Sequence, residues 1–248
     1  LTLNLPSELG ACTLTAIKEF TRSRESIAVM GYMIGLSAMM FFLPTTFNMW
    51  ETDSSFADPY FSGFFSIWMV ILILSMFASF MTGMSLTVGH KDKLWIYRKA
   101  PNGMKYYLRG KLVGHSLIIL PLTLIIMLVA FGVIYNFGAL ITIASIAVAI
   151  LCIFAAFTIG VGIFALNPSF ERKGPKMAIN VMLSLIIQML PLTLIFVPSF
   201  IIPRETFPGG ESGWLFFGIL TLGGAGLVNL LLGSIVMYFG ARRLLKME

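Results

Sequence analysis

Six long apolar runs, each free of Asp, Glu, Lys and Arg, leave this chain very few ways to fold. They cover roughly residues 27–46, 62–86, 112–135, 138–166, 177–202 and 214–241, and the connectors between them collect the charge. A helix uses about 20 residues to cross the ~30 Å hydrocarbon layer of a bilayer, and every run is long enough. Strands of a membrane barrel are about ten residues long and alternate in polarity, whereas residues 67–76 and 139–157 are almost unbroken apolar stretches. Only helices then satisfy the backbone in lipid. The expected fold class is an all-α integral membrane protein with six transmembrane helices. Its composition agrees, since 11% of residues are charged against about 25% in a soluble domain. Six crossings and their connectors use the whole chain, so no soluble catalytic domain is expected.

The connectors also set the orientation. Lys18, Arg22 and Arg24 precede the first run; Lys91, Lys93, Arg98, Lys99, Lys105, Arg109 and Lys111 lie between the second and third. Arg172, Lys173 and Lys176 lie between the fourth and fifth, and Arg242, Arg243 and Lys246 follow the sixth. These sites hold sixteen of the seventeen cations, all on one side of an alternating path; the other side has Arg204 with Glu51, Asp53, Asp58, Glu205 and Glu211. The positive-inside bias makes both termini cytoplasmic. It also explains the net charge of +6, and no basic stripe interleaved with aromatics points to nucleic acid. Trp50, Tyr60, Trp95, Tyr97, Tyr106, Tyr107, Tyr135, Trp214 and Tyr238 fall near run ends and read as an aromatic belt. Gly160, Gly162, Gly223, Gly224 and Gly226 read as points of close helix approach. Cys12 and Cys152 are placed too differently for an extracellular disulfide.

Two segments are neither span nor simple loop. Within the N-terminal segment, residues 1–26, the stretch 13–25 sets Leu14, Ile17 and Phe20 on one helical face and Lys18, Glu19, Arg22 and Glu25 on the other. That pattern suits a helix lying in the membrane interface. Within the transmembrane domain, residues 27–248, the connector 89–111 has Asp92 as a candidate N-cap, an aromatic and basic stretch at 94–99, and a stop at Pro101. A second helix is expected to start after Asn102-Gly103 and continue into the third span.

Catalytic groups are scarce. His90 and His115 stand far apart, no carboxylate lies inside a run, and neither a phosphate loop nor a nucleophile elbow occurs. His115 reads as a locally bonded histidine near the headgroups. Carriers driven by ions need ionisable groups at depth, so energy for any transport is expected from outside the chain.

At this point the layout resembles the membrane subunit of ABC-2 type exporters, the permease. Residues 16–24, Ala-Ile-Lys-Glu-Phe-Thr-Arg-Ser-Arg, resemble that family's basic elbow helix. Residues 93–101, Lys-Leu-Trp-Ile-Tyr-Arg-Lys-Ala-Pro, followed by Lys111, resemble its coupling segment, and residues 167–171, Asn-Pro-Ser-Phe-Glu, its turn before span five. The resemblance implies an ABC ATPase subunit as partner, with ATP and Mg bound there and no cofactor here. It implies a cytoplasmic membrane location and a two-fold dimer with a second permease copy or a homologous half. It assigns Lys93, Leu94, Trp95, Tyr97, Arg98, Pro101, Phe170 and Arg172 to the ATPase interface, with Trp95 and Tyr97 as anchors.

Span five carries Asn180, Gln188, Pro191 and Pro198, and prolines inside helices bend them. Spans two and five are therefore expected to line a path at the dimer interface, with Ser66, Ser75, Ser79, Asn180, Gln188 and Pro191 along it, and the stretch 200–213 dips back toward the bilayer. The Met- and Phe-rich interior favours a lipidic or amphipathic substrate. Two other readings stand beside this one: a membrane scaffold that binds through its basic loop without transport, and the second half of a longer fused permease. The chain opens at Leu1 with no charged segment and cleavage site behind it, so no signal peptide is expected.

Overall fold

The computed structural model describes residues 7–48, 59–87, 91–135, 137–170, 174–202 and 206–246. Their regular elements are helices α1 (Ser7–Arg22), α2 (Arg24–Asn48), α3 (Pro59–Thr87), α4 (Lys91–Lys99), α5 (Gly103–Leu128), α6 (Ala139–Leu166), α7 (Pro175–Ile201) and α8 (Glu211–Lys246). No strand occurs among the described residues. Five helices, α3 and α5 to α8, are long and apolar enough to cross a membrane, the makeup of a multi-pass membrane protein. α2 has 25 residues, and its described apolar stretch, Ser26–Met40, is shorter. The six apolar runs thus all lie on helices. α4 begins at Lys91, which puts Asp92 inside its first turn rather than at its cap.

Contacts fix which way each helix runs. Gly160 of α6 rests on Ser79 of α3 and Phe164 lies against Gly83, so residue numbers rise together and the two helices are parallel. Gly226, Gly233 and Gly240 of α8 likewise meet Cys152, Ile159 and Ala165 of α6 in order. α2 runs the other way, for Tyr32 packs edge-on against Phe77 at 5.8 Å while Ser66 Oγ donates to the Met40 carbonyl at 3.4 Å. α5 also opposes α3. Near its start Tyr107 donates to the Leu86 carbonyl at 2.5 Å, and beyond its end Tyr135 and Ser66 share a hydrogen bond of 2.7 Å. α7 starts beside the end of α6, through Asn180 and Asn167, and reaches Ser75 of α3 eight residues later at Gln188. Consequently the starts of α2, α5 and α7 share one end of the bundle with the ends of α3, α6 and α8. α1, α4, Lys105, Arg109, Arg242 and Lys246 gather at that end.

α6 is the centre of the bundle. The glycines of α8 recur every seven residues, the period that keeps a helix seam on one side of a left-handed pair. A Cβ on Gly233 would stand 2.9 Å from the Ile159 nitrogen, and one on Gly240 2.8 Å from the Ala165 Cβ, so the backbones meet where only glycine fits. Gly160 and Gly162 serve the same purpose, as their position in the sequence suggests. Gly223 meets only a Val148 side chain at 3.2 Å and Gly224 meets nothing, so of that cluster Gly226, against the Cys152 and Leu151 side chains, is the most tightly packed.

Two aromatic residues depart from the belt reading. Trp214 is 2% exposed and stacked among Phe61 and Phe64, and Tyr107 is 3% exposed with its hydroxyl spent on Leu86. Both are core residues because α8 and α5 turn these faces inward. After α5 a π-helical turn, Val129–Ile134, carries Phe131 and Tyr135 into a stack with Phe137, at 5.4 to 6.1 Å between ring centres.

Candidate functional site

The basic end of the bundle is organised by α1. This helix starts at Ser7, earlier than residue 13, and is amphipathic as expected, but Gly10, Thr13, Ala16 and Phe20 are its buried residues. Two glycines of α5 receive it. A Cβ on Gly110 would meet the Cys12 carbonyl carbon at 3.0 Å, and one on Gly114 the Ala16 Cβ at 2.7 Å. Glu19, expected on the solvent face, instead forms an ion pair with Lys111, whose side chain is 3% exposed. The same ammonium lies 5.9 Å from the centre of the Tyr107 ring. His115, one turn further, donates its Nδ1–H to the Lys111 carbonyl at 2.8 Å and meets the Phe20 ring edge-on at 5.5 Å. That is the locally bonded histidine expected. Burial against α5 raises the Cys12 thiol above its ordinary pKa, and the Lys111 charge offsets part of the rise.

α4 is docked onto this junction by one face. Leu94 is buried, and three residues on, Tyr97 stacks on Tyr107 at 4.5 Å between ring centres. Burial, with Cys12 and Glu19 nearby, raises the Tyr97 phenol above its ordinary pKa. The helix ends at Lys99, and the Asn102 backbone then turns through the left-handed region, φ 55°. Gly103 closes the turn with a 3.0 Å bond to the Ala100 carbonyl; a Cβ there would collide with the Tyr97 carbonyl, which is why glycine opens α5.

Tyr97, half-buried, sets its ring against Tyr107, and with buried Leu94 it holds α4 to the bundle. Trp95 and Ile96 are the outward residues, 54% and 51% exposed, and Lys99 lies 5.3 Å from the Trp95 ring centre. Ile96 was passed over in the sequence because an isolated isoleucine in a basic stretch carries no signal until the inward face is known. Pro101 is exposed in the turn. Lys93 and Arg98 belong to α4, but their side chains lie outside the described residues, as do Arg172 and His90. Phe170 is partly buried against the core.

The residues expected along a path do not come together as one lining. Ser66 ties α3 to Tyr135 and to α2. Ser79 is pressed against Gly160. Asn180 and Asn167 bond reciprocally, side chain to side chain at 2.8 Å and side chain to carbonyl at 2.6 Å, so Asn180 clamps the turn between α6 and α7. Ser75 and Gln188 do meet, across a void of about 10 Å³. Neither the Ser75 hydroxyl nor either polar atom of the Gln188 amide has a hydrogen-bond partner among the described residues. Asn229 of α8 completes this group, donating to the Gln188 backbone carbonyl at 3.2 Å with its own Oδ1 unpartnered. An asparagine inside an apolar run was a readable signal for it. Pro191 is buried in α7 one turn beyond Gln188. α3 is also the most enclosed long helix, with 61% of its apolar window buried against 33% for α7, so α7 presents far more outer surface than α3.

Comparison with protein-family models, curated proteins and solved structures finds no match to this chain.

Proposed function

We propose that this chain is the permease subunit of an ATP-driven exporter of the ABC-2 type, crossing the cytoplasmic membrane six times with both termini inside. The observation that supports the reading best is α4. It is a short helix between two apolar helices, fixed to the bundle through Leu94 and the Tyr97–Tyr107–Leu86 chain, and it turns Trp95 and Ile96 to the outside among lysines. Large apolar side chains held outward at the end of a membrane bundle lose free energy by being covered; full burial of such a side chain is worth roughly 1.5–3 kcal/mol. A groove on an ATPase subunit is the cover this reading supplies. Because α4 packs on Tyr107 of α5, and Tyr107 in turn bonds the Leu86 carbonyl of α3, a displacement of the ATPase would reach two spans.

The alternating directions of the six long helices fit the six-span threading, with α2 as the first. Conduction is assigned to a two-fold dimer, in which α7, the least enclosed of the five helices long and apolar enough to cross a membrane, offers its outer face to the second copy. Within it, Ser75, Gln188 and Asn229 are the polar groups available at depth.

Affinity purification in mild detergent tests the reading. The wild type is expected to bring down an ATPase with a phosphate-loop sequence, and Trp95→Ala with Ile96→Ala to lose it while inserting and melting as the wild type does. Retention of the ATPase by that variant would refute docking through α4. If the wild type brings down no ATPase, the exporter reading gives way to the scaffold.

A further inference from the structure

At the basic end, α5 and α8 diverge and leave a groove of about 670 Å³. Its floor is apolar, including Met104, Leu108 and Met237, and its rim carries Lys105, Arg109 and Arg242. All three cations are exposed, and no ion pair involves them among the described residues. Arg242 is held in place over the Tyr238 ring, 4.5 Å from its centre. Among the described residues, no acidic one lines the groove.

A second, separate trough lies further along α5. Stepping four residues at a time from Arg109 gives Val113, Leu117, Pro121 and Ile125, a row that winds about the helix by ~40° per step. These four apolar residues line the trough, of about 610 Å³, between α5 and α6. From Arg109 to Pro121 the row covers about 18 Å at ~1.5 Å per residue, close to the roughly 15 Å of hydrocarbon in one leaflet. Cations at one end and an apolar trough of leaflet length beyond them match one molecule: a phosphate on an acyl chain.

We infer that the α5–α8 groove and the α5–α6 trough together form a binding site for an anionic phospholipid, its phosphate held by Lys105, Arg109 and Arg242 and an acyl chain laid along Val113 to Ile125. Basic pockets between membrane helices suit such headgroups. Phosphate also matches the planar donor fork of Arg109 and Arg242 better than any uncharged headgroup. The site does not depend on the exporter reading, and its test does not use the ATPase.

Purified protein in mild detergent is titrated with dioleoylphosphatidylglycerol and with dioleoylphosphatidylcholine, and bound lipid is counted by native mass spectrometry. A preference of roughly tenfold for phosphatidylglycerol is expected, because each cation near a membrane surface contributes about fivefold and exposure screens part of it. Lys105→Gln/Arg109→Gln/Arg242→Gln should lower that preference below about twofold without changing the melting temperature, since all three residues are exposed. Lys176→Gln/Arg243→Gln, which removes two cations outside the groove, should keep it. Val113→Trp, which fills the trough, should weaken both lipids. Equal binding of the two lipids by the wild type would overturn the proposal. So would a preference that survives in the triple variant, or competition by glycerol 3-phosphate as strong as by the intact lipid, which would mark a free-phosphate site.

Discussion

Glu19→Gln removes one charge and almost no volume, and it isolates the contact that joins α1 to the bundle. The wild-type Lys111 side chain is 3% exposed and Glu19 31% exposed, so the substitution takes the Glu19 charge away from a buried ammonium. Stranding one partner of a fully buried pair costs about 3–5 kcal/mol, and the partial exposure of Glu19 lowers this to roughly 2–3 kcal/mol. For a chain of 248 residues each kcal/mol corresponds to about 2–4 °C, so the melting temperature in detergent should fall by roughly 4–12 °C. Lys111→Met alone should cost less, because the remaining carboxylate has access to water. Glu19→Leu with Lys111→Met should recover most of the loss, since an apolar pair of similar volume substitutes for a buried ion pair at little cost. Tryptophan fluorescence during heating at one fixed rate gives the comparison. A shift under about 1 °C for Glu19→Gln, or a double variant as unstable as the sum of its singles, would show that the pair does not hold α1 to α5.

Gly233→Ala should destabilise by roughly 1–3 kcal/mol, because its Cβ meets the α6 backbone; Gly224→Ala, whose Cβ meets nothing, should leave the melting temperature unchanged or slightly raised. Gln188→Leu removes a buried, unpartnered amide and should raise stability by about 1 kcal/mol; a lower melting temperature would mean that the amide is satisfied in the folded protein. Cys12 should react with iodoacetamide at pH 8 more slowly than a cysteine placed at exposed Thr15. Its raised pKa keeps less thiolate there, and the rate should go on climbing at pH values where the exposed thiol has reached its plateau.

The parts of the fold that were legible share a cause. Spans, connectors and the helix start at Gly103 follow from residue type alone, because lipid excludes charge and an Asn-Gly turn excludes helix. The junction at the basic end was not legible, because it depends on which faces meet. Glu19 and Lys111 are 92 positions apart, and each reads locally as a solvated charge beside a membrane. Gly110 and Gly114, which admit α1, sit in a span start where small residues are unremarkable. Tyr97 looked like Trp95 for the same reason: aromatic residues in a basic helix are equivalent until the stack on Tyr107 separates the face that holds from the face that is offered. The same logic separates Gln188 from Asn180. Both are lone amides in one apolar helix, yet the turn after α6 supplies Asn180 with a reciprocal partner, while the α3 and α8 faces opposite Gln188 supply no partner for its amide. Burying an amide without hydrogen bonds costs about 1–3 kcal/mol in a folded protein. Ser75, Gln188 and Asn229 bear that cost at one level of the bundle, where α3, α7 and α8 meet.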